Sequence, residues 1–353
     1  MFVYKPNNAV HKFVAFLTQV TLKHIMNTSL LNRKIRWGII GLGNIAHKFA
    51  SDLLTVQDAE LYAVASRNQE NANVFAKQYN AKKAYGSYDA LANDSKLDAV
   101  YVATPHSFHK AHTLLCLEKG IAVLCEKPFA MHSHEVAEMV ACAKANKVLL
   151  MEALWTYFLP HYQFAIQKLK NKTYGNILKI EADFGFKPEF NAGSRVFNKS
   201  LGGGSLLDIG IYPIFAALSA LGIPKTIEAN ATYFENGVDS SCSILFNYKN
   251  NAQAILKSTF LETTPTEAIF YCEKATIKVN SRFHGPSNVS IIIDGQEELF
   301  DFNYSTSGYS YEIIHFNQLL KEGKTESDIM TFDFSLQLMQ TLDKVRESIG
   351  LEY

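Results

Sequence analysis

The chain has no excess of charge of either sign and no long apolar run. Its 353 residues contain 34 Lys and Arg against 34 Asp and Glu, so its formal net charge is +0. Without net charge there is no long-range field that would concentrate a polyanion. No stretch approaches the ~18 uninterrupted apolar residues of a membrane-spanning helix. We therefore expect neither a nucleic-acid partner nor a membrane partner.

Cysteine is scarce, and its pattern excludes two further classes of protein. The five cysteines are odd in number and form no C-x-x-C pair, which is typical of free thiols in a reducing compartment and predicts a cytoplasmic location. No Cys/His cluster has zinc spacing, so no metal site is predicted. Residues 1–33 lack a signal-peptide cleavage site, so we interpret them as an N-terminal extension or the product of an upstream start codon.

The sequence does contain enough apolar residues for buried cores. It is 48% apolar and 19% charged, which excludes a disordered chain, and its length suggests two domains. Short apolar runs alternate with helical patterns up to Glu152, which predicts parallel βαβ units and a Rossmann α/β domain at residues 34–152. Successive strands then predict an α+β domain at residues 153–353, with an open, mainly antiparallel sheet. We expect the last helix to pack back on the first domain.

A glycine-rich turn joins the first predicted strand to the first helix. The sequence Gly41-Leu42-Gly43-Asn44-Ile45-Ala46 has the pattern G-x-G-x-x-A. Gly41 permits a tight turn, Gly43 allows backbone to approach a pyrophosphate, and Ala46 allows close packing of helix on strand. The pattern alone also fits a simple tight turn. Within a βαβ unit it predicts dinucleotide binding at the helix N-terminus.

The end of the second predicted strand bears on the choice of dinucleotide. An NAD-binding protein is expected to have an acidic residue there, which hydrogen-bonds to the ribose 2′-hydroxyl. This chain has Ser66 and Arg67 instead. A hydroxyl and a guanidinium suit a 2′-phosphate, so we predict NADP in preference to NAD. The alternative is that Arg67 is a solvated side chain that caps the next helix.

Three residues have the chemistry and the placement of a proton-transfer site. Lys127, in Glu126-Lys127-Pro128, follows a predicted strand and is expected to face the ligand crevice, although it could also be a surface lysine in a turn. If the glycines at 202–204 open a helix, Asp208 and Tyr212 share one face of it. A nearby ammonium would lower the pKa of the Tyr212 phenol. The alternative is an amphipathic helix whose Tyr packs and whose Asp caps.

Two further segments have a possible place at the site. Thr104, Pro105 and His109 follow a predicted strand and should border the cofactor crevice; the alternative is a helix cap at Ser107 with exposed histidines. Trp155 could form the wall of an apolar pocket or pack at a domain junction. The cofactor-binding residues that we predict are Gly41, Gly43, Asn44, Ile45, Ala46, Ser66, Arg67, Thr104, Pro105, His109, Glu126 and Lys127.

These motifs, in this order, resemble the glucose–fructose oxidoreductase / inositol dehydrogenase family of NAD(P)-dependent enzymes. They are most similar to its branch of dimeric dihydrodiol dehydrogenases and NADP-linked D-xylose dehydrogenases. The resemblance implies that Lys127 is the catalytic lysine, Tyr212 the general acid/base and Asp208 a supporting residue. It also implies that Trp155 and Arg195 contact substrate. The larger family usually has His where this chain has Tyr212, whereas the branch shares the tyrosine.

The sequence thus predicts an NADP-dependent oxidoreductase that transfers hydride to or from a carbinol of a sugar or trans-dihydrodiol. The family resemblance further implies a homodimer that pairs through the sheet of the second domain. Two alternatives stay open. The chain could be a sugar oxidoreductase with tightly bound NADP, or a non-catalytic NADP-binding sensor.

Overall fold

The computed structural model describes residues 33–191 and 193–353. Within these ranges the strands form two separate sheets, one after the other along the chain. The predicted N-terminal extension lies outside the described residues, except for Arg33. The guanidinium of Arg33 pairs with the carboxylate of Asp98 at 2.5 Å.

The first sheet is parallel throughout. It contains β1 (Ile35–Ile40), β2 (Ala59–Ala65), β3 (Lys83–Tyr85), β4 (Ala99–Val102), β5 (Ala122–Glu126) and β6 (Leu150–Ala153). The strand order is β3-β2-β1-β4-β5-β6, which is the order of a dinucleotide-binding Rossmann fold. Every residue of β4 and β6 is buried, because helices cover both faces of a parallel sheet. The predicted fold class of this part is confirmed.

Five helices connect these strands, and a sixth follows β6. They are α1 (Asn44–Leu53), α2 (Gln69–Tyr79), α3 (Tyr88–Ala92), α4 (His109–Leu117), α5 (Ser133–Asn146) and α6 (Pro160–Lys170). In α1 the buried residues Ala46, Phe49 and Leu53 recur at helical spacing, so one face of the helix packs on the sheet. Asn68 caps α2 by accepting the N–H of Asn71 at 3.1 Å, which is the role that an N-cap side chain serves.

The second sheet is mixed but mostly antiparallel. It contains β7 (Ile177–Gly185), β8 (Thr226–Tyr233), β9 (Asp239–Asn247), β10 (Gln253–Thr259), β11 (Ala268–Cys272), β12 (Thr276–Val279), β13 (Val289–Ile293) and β14 (Gln296–Phe300). The strand order is β14-β13-β12-β11-β7-β10-β9-β8, and only the β7–β10 pair is parallel. This confirms the prediction of an open, mainly antiparallel sheet.

The sequence analysis did not predict two of these strands. β7 lies in the middle of the sheet, but Lys179, Glu181 and Asp183 alternate with its buried residues and obscure an apolar run. β14 is an edge strand whose first four residues are exposed, so it has no apolar pattern to detect. Each strand forms because it pairs with a neighbouring strand in the sheet, and the local sequence does not reveal that pairing.

The second sheet is covered on one face and open on the other. In β10, Ala254 and Leu256 are buried whereas Ile255 between them is 48% exposed, as expected when alternate side chains face opposite sides. Helix α6 and a later helix, α7 (Ile211–Leu221), pack on the covered face. The register places Leu245 beside Ile255 on the open face. Apolar side chains therefore lie on a sheet face that no described helix covers.

A single π-helical turn, Leu206–Gly210, leads into α7. The predicted regular helix across Asp208 and Tyr212 is therefore interrupted, with Asp208 in the π turn and Tyr212 in α7. The segment Lys199–Leu221 is long and apolar enough to cross a membrane, but 89% of its most apolar window is buried inside the fold. The core helix of a globular domain meets the same criteria of length and composition.

The last two helices, α8 (Tyr309–Lys321) and α9 (Phe332–Ile349), pack against the first sheet's helices. Asp52 at the end of α1 accepts the backbone N–H of Tyr309 at 2.8 Å and of Ser307 at 3.1 Å. A carboxylate at a helix N-terminus also interacts favourably with the helix dipole. In α9, Asp343 accepts the N–H of Ser133 at 2.8 Å. These polar contacts join the end of the chain to its beginning.

The carboxyl group of Glu312 in α8 is buried and has no polar partner among the described residues. Neither carboxyl oxygen has a hydrogen-bond partner among the described residues. Burial, with the nearby charges of Glu126 and Asp52, raises the pKa of Glu312 well above its ordinary value. Because the folded chain then keeps a proton that the unfolded chain releases, this group's contribution to stability is present at low pH and is lost as pH rises.

We therefore expect Glu312→Gln to change the pH dependence of stability. From about pH 5 to pH 8 the parent should lose unfolding free energy relative to the variant, by up to about 1.4 kcal/mol per pH unit, because the amide does not ionise. Urea unfolding at both pH values measures this. Glu347→Gln, at an exposed position, is the control and should leave the pH dependence unchanged. A parent–variant difference that is constant with pH would contradict a protonated Glu312.

Candidate active site

A crevice of about 820 Å³ lies at the carboxyl ends of the parallel strands. In open α/β sheets this edge, where the strand order reverses, is the usual place of ligand binding. All the predicted cofactor-binding residues except Ala46 line it: Gly41, Gly43, Asn44, Ile45, Ser66, Arg67, Thr104, Pro105, His109, Glu126 and Lys127. Ala46 is fully buried on the face of α1 that packs on the sheet.

The glycine turn has the shape that a dinucleotide phosphate needs. Gly41 has φ +89, and a Cβ added there would lie 2.8 Å from the backbone of Ala103, so only glycine fits. A Cβ added to Gly43 would meet no atom within 4 Å, because this position faces open space in the crevice. No side chain caps the N-terminus of α1. Its first N–H groups are therefore available to an anion.

Arg67 lies at the exposed rim of this crevice. Among the described residues no carboxylate lies within 4.0 Å of its guanidinium. The alternative that Arg67 caps α2 does not hold, because the side chain of Asn68 is the cap. Ser66 is partly buried beside it. An uncompensated cation and a hydroxyl thus occupy the end of β2, where an acidic residue would favour NAD.

The segment from Thr104 to His109 places its two histidines differently from the exposed alternative. His109 is fully buried, and its ring nitrogens lie 2.8 Å from the carbonyl oxygens of Thr104 and Pro128. His109 therefore holds the backbone around the crevice in place. His106 is also buried, and its Nε2 lies 3.3 Å from the Arg195 guanidinium. The predicted cofactor-binding residues included His109 but not His106, although both belong to the segment expected to border the crevice.

Lys127 follows β5 directly and lines the crevice. The Lys127–Pro128 peptide bond is cis. The ammonium donates to the backbone carbonyl of Asp208 at 2.7 Å and lies 3.9 Å from the Asp208 carboxylate. Burial lowers the pKa of Lys127, and the Asp208 carboxylate opposes that shift. Glu126 accepts the backbone N–H of Lys127 at 3.1 Å. Lys127 is therefore not a surface lysine.

Asp208 is a buried carboxylate surrounded by cationic groups. The Arg195 guanidinium donates to it at 2.9 Å, and His106 Nε2 lies 3.9 Å from the same oxygen. Burial alone would raise the pKa of Asp208, but Arg195 and Lys127 hold it well below its usual range. Asp208 is therefore ionised. It interacts with Lys127 from the first domain and with Arg195 from the second. It does not cap α7; Asp239 instead accepts the N–H of Leu206 at 2.7 Å.

Tyr212 lies next to this cluster. The Lys127 ammonium is 4.7 Å from the centroid of the phenol ring, and the Trp155 indole N–H donates to the phenol oxygen at 3.0 Å. Burial, and then the Glu126 charge, raise the pKa of Tyr212 well above its ordinary value, whereas the Trp155 hydrogen bond lowers it. The expectation that Lys127 lowers this pKa is not met here. The phenol is protonated at neutral pH.

Aromatic side chains surround Tyr212. Phe184 and His284 lie 5.8 and 5.1 Å from its ring, centroid to centroid, and Tyr309 stacks on Trp155 at 4.4 Å. The sequence analysis predicted only Trp155 among these. The others come from β7, from the loop after β12 and from the start of α8, none of which has a motif. Their proximity is decided by tertiary folding alone.

Within residues 33–191 and 193–353, no group of three or more His, Cys, Asp or Glu side chains could hold a metal ion. The polar atoms that converge are instead an ammonium, a guanidinium, a carboxylate and a phenol. Such a set can bind a polar substrate and move a proton. The crevice beside it has the shape and polarity for a nicotinamide dinucleotide.

Known proteins resemble the chain over most of its length. Residues 35–154 match an oxidoreductase family with an NAD-binding Rossmann fold, and residues 162–278 match the GFO/IDH/MocA C-terminal domain. A trans-1,2-dihydrobenzene-1,2-diol dehydrogenase of Xenopus tropicalis is 37% identical over 90% of this chain and 99% of the relative. A scyllo-inositol 2-dehydrogenase (NADP(+)) of Bacillus subtilis is 34% identical over 90% and 98%.

A solved structure agrees with these relatives. The 3-ketoreductase of Actinomadura kijaniata, in complex with NADP and TDP-benzene, is similar with a TM-score of 0.81 and 26% identity. The alignment covers 90% of this chain and 98% of that chain. Two family matches, full-length relatives and a shared fold confirm the predicted resemblance. The chain belongs to the glucose–fructose oxidoreductase / inositol dehydrogenase (GFO/IDH/MocA) family of NAD(P)-binding oxidoreductases.

Proposed function

We propose that this protein is an NADP-dependent oxidoreductase that acts on a carbinol of a sugar or a trans-dihydrodiol. The observation that carries the proposal is that Asp208 and Tyr212 both lie against Lys127, which lines the dinucleotide crevice. Their contacts hold a proton donor beside the place where the nicotinamide end of the cofactor would lie. A protein that only senses NADP has no need of a buried ammonium and a phenol here.

When bound, the nicotinamide ring supplies the hydride acceptor or donor. Tyr212 moves the accompanying proton: in reduction the phenol gives its proton to the carbonyl oxygen and becomes a phenolate, and in oxidation the phenolate takes the proton of the substrate hydroxyl and becomes a phenol. Because the resting phenol is protonated, it is ready to donate in the reductive direction. Lys127, held by the Asp208 carbonyl oxygen, stabilises negative charge on the reacting oxygen.

Asp208 and Arg195 support this chemistry through charge. Asp208 holds the Lys127 ammonium in a buried place that would otherwise favour the neutral amine. Arg195 balances Asp208 at 2.9 Å, and its position at the crevice also allows contact with substrate. Trp155 lies beside the phenol of Tyr212 and donates a hydrogen bond to its oxygen. In this proposal, residues 34–152 hold the cofactor and residues 153–353 supply the proton donor and the substrate pocket.

The preference for NADP rests on the end of β2. Arg67 has no carboxylate partner among the described residues, and a guanidinium can bind a 2′-phosphate with two hydrogen bonds. The similar Bacillus subtilis dehydrogenase is named for NADP(+), and the similar 3-ketoreductase holds NADP in its structure. Ser66 is a second donor at this position. These observations favour NADP as the physiological cofactor.

The substrate class rests on the relatives and on the aromatic side chains around Tyr212. Relatives are named for a cyclic trans-diol and for an inositol. Phe184 and His284 place aromatic rings beside Tyr212, and such rings pack equally on an aromatic diol and on the C–H face of a sugar. D-xylose is included in the class because the sequence resembles NADP-linked D-xylose dehydrogenases.

We further propose that the protein is a cytoplasmic homodimer. The open face of the second sheet carries Leu245 and Ile255 side by side, and a partner of the same chain would cover them. The face also carries charged pairs, such as Lys179 with Glu181 at 2.8 Å. Pairing through one surface patch on both subunits is the usual geometry of a two-fold dimer.

Tyr212→Phe tests the proton donor. Loss of general acid–base transfer should lower kcat about 10²- to 10⁴-fold while NADP affinity is largely kept. The absorbance of the reduced cofactor is followed with NADP, and separately with NAD, against D-xylose, D-glucose and a trans-dihydrodiol. Tyr162→Phe is the matched control, because Tyr162 is a buried tyrosine that bonds to Ser219. Unchanged turnover in Tyr212→Phe would remove Tyr212 from the mechanism.

Arg67→Ala tests the cofactor preference. Loss of a charged hydrogen bond to the 2′-phosphate should raise KM for NADP about 10- to 100-fold and leave NAD kinetics nearly unchanged. Arg36→Ala is the control. Arg36 lies near the start of β1, at the edge of the sheet opposite to the crevice, and pairs with Glu60. Steady-state kinetics with both cofactors provide the measurement. Equal effects on NADP and NAD, or a parent that prefers NAD, would overturn the assignment.

Ile255→Glu tests the dimer. A buried, unpaired charge at an interface is strongly unfavourable, so the variant should sediment as a monomer at micromolar concentration whereas the parent sediments as a dimer. Ile314→Glu is the control, because Ile314 is 52% exposed on α8, away from the sheet. A monomeric parent, or a dimeric Ile255→Glu, would show that this face is not the interface.

A further inference from the structure

The Trp155 indole makes a directed contact with Tyr212. Its N–H donates to the phenol oxygen at 3.0 Å, and both side chains are buried. An indole N–H can only donate, so the phenol oxygen must be the acceptor in this bond. The phenolic hydrogen therefore points elsewhere and is free for a second partner, which places Trp155 in a different role from that of a pocket wall.

The indole cannot easily leave this position. It stacks on Tyr309 with ring centroids 4.4 Å apart and planes at 5°. A Cβ added to Gly285 would lie 3.0 Å from its Cη2 atom, and one added to Gly308 would lie 3.0 Å from its Cζ3 atom. The two glycines thus leave room for one edge of the indole ring, which a side chain at either position would crowd. The N–H is aimed before any substrate arrives.

A fixed donor at this oxygen acts mainly when the oxygen is charged. Hydrogen bonds to an ionised group are about twice as strong as those between neutral groups. The phenolate of Tyr212 would otherwise be buried beside the negative charge of Glu126, which disfavours it. Lys127 makes no hydrogen bond to the phenol oxygen; its ammonium lies 4.7 Å from the ring centroid. The Trp155 N–H is the donor that compensates charge at this atom.

We propose that Trp155 is a positioning residue for Tyr212, whose indole N–H fixes the phenol oxygen and stabilises the negative charge that the oxygen bears after giving up its proton. The inference rests on the proposed function, in which Tyr212 is the general acid/base. It changes the role of Trp155 from a substrate wall to a part of the proton-transfer device. Preorganised donors of this kind contribute because they need no rearrangement during the reaction.

The matched pair of variants is Trp155→Phe and Trp37→Phe. The chain has two tryptophans, and both indole N–H groups donate to a buried side chain; Trp37 donates to Asn317 at 3.0 Å. Phenylalanine keeps an aromatic ring at each position and removes the N–H. Gly285→Ala is a third variant, which keeps the N–H but crowds the edge of the indole ring.

The activity arm compares pH profiles of kcat and of KM for the diol or sugar that the parent turns over. Trp155→Phe should lower kcat about 10- to 100-fold, with a smaller change in KM, and move the basic group of the profile to higher pH by about one unit or more. Gly285→Ala should show a partial effect of the same kind. Trp37→Phe should leave the profile unchanged. A Trp155→Phe variant that raises KM alone, with the pH profile unmoved, would overturn the proposal in favour of a simple wall.

A second arm does not depend on activity. In a ¹H–¹⁵N spectrum of the holoenzyme the two indole N–H groups give two resonances, which Trp37→Phe assigns. Tyr212→Phe should shift the Trp155 resonance and leave that of Trp37 in place, and an unmoved Trp155 resonance would overturn the hydrogen bond. If the parent turns over no substrate but this resonance shifts, the proposed function fails while the hydrogen bond stands.

Discussion

The carboxylate of Asp208 is buried, and the positive charges that stabilise it determine the arrangement of the active site. An isolated ionised carboxylate costs several kcal/mol when it is removed from water. Arg195 lies 2.9 Å from it, and Lys127 3.9 Å. Lys127 comes from the end of β5 in the first domain, whereas Asp208 and Arg195 come from the second. The electrostatic requirement of one residue therefore holds the two domains in the relation that closes the crevice.

A second series of contacts joins the domains on the other side of Tyr212. Asp52 in the first domain accepts the N–H of Tyr309, and the Tyr309 ring stacks on Trp155. The Trp155 N–H in turn reaches the phenol oxygen. Because each group in this series is buried, a shift of α8 would also displace the phenol of Tyr212. Packing and hydrogen bonding thus hold in place the oxygen that bears charge in the proposed mechanism.

The local motifs of the site could be predicted because they depend on short stretches of backbone. Gly41 is needed where φ is +89, Arg67 follows a strand, and Lys127 follows another, so chain order and strand polarity place them at one edge of the sheet. His106 and His284 could not be assigned in this way. His106 matters through Arg195, which is 89 residues away in sequence, and His284 lies in a loop with no pattern. β14 was missed because an exposed edge strand has no apolar signature.

The amino-acid sequence by itself determined the Rossmann domain, the glycine turn, the lack of an acid after β2 and the chemical types of the residues proposed for proton transfer. Each of these depends on residue periodicity or on backbone conformation over a few positions, which sequence records directly. Only the tertiary structure decided that a π turn carries Asp208, that burial keeps Tyr212 protonated and that Trp155, rather than Lys127, donates to its oxygen. These properties depend on desolvation and on distances between segments far apart in the chain, and both exist only after the two domains have packed together.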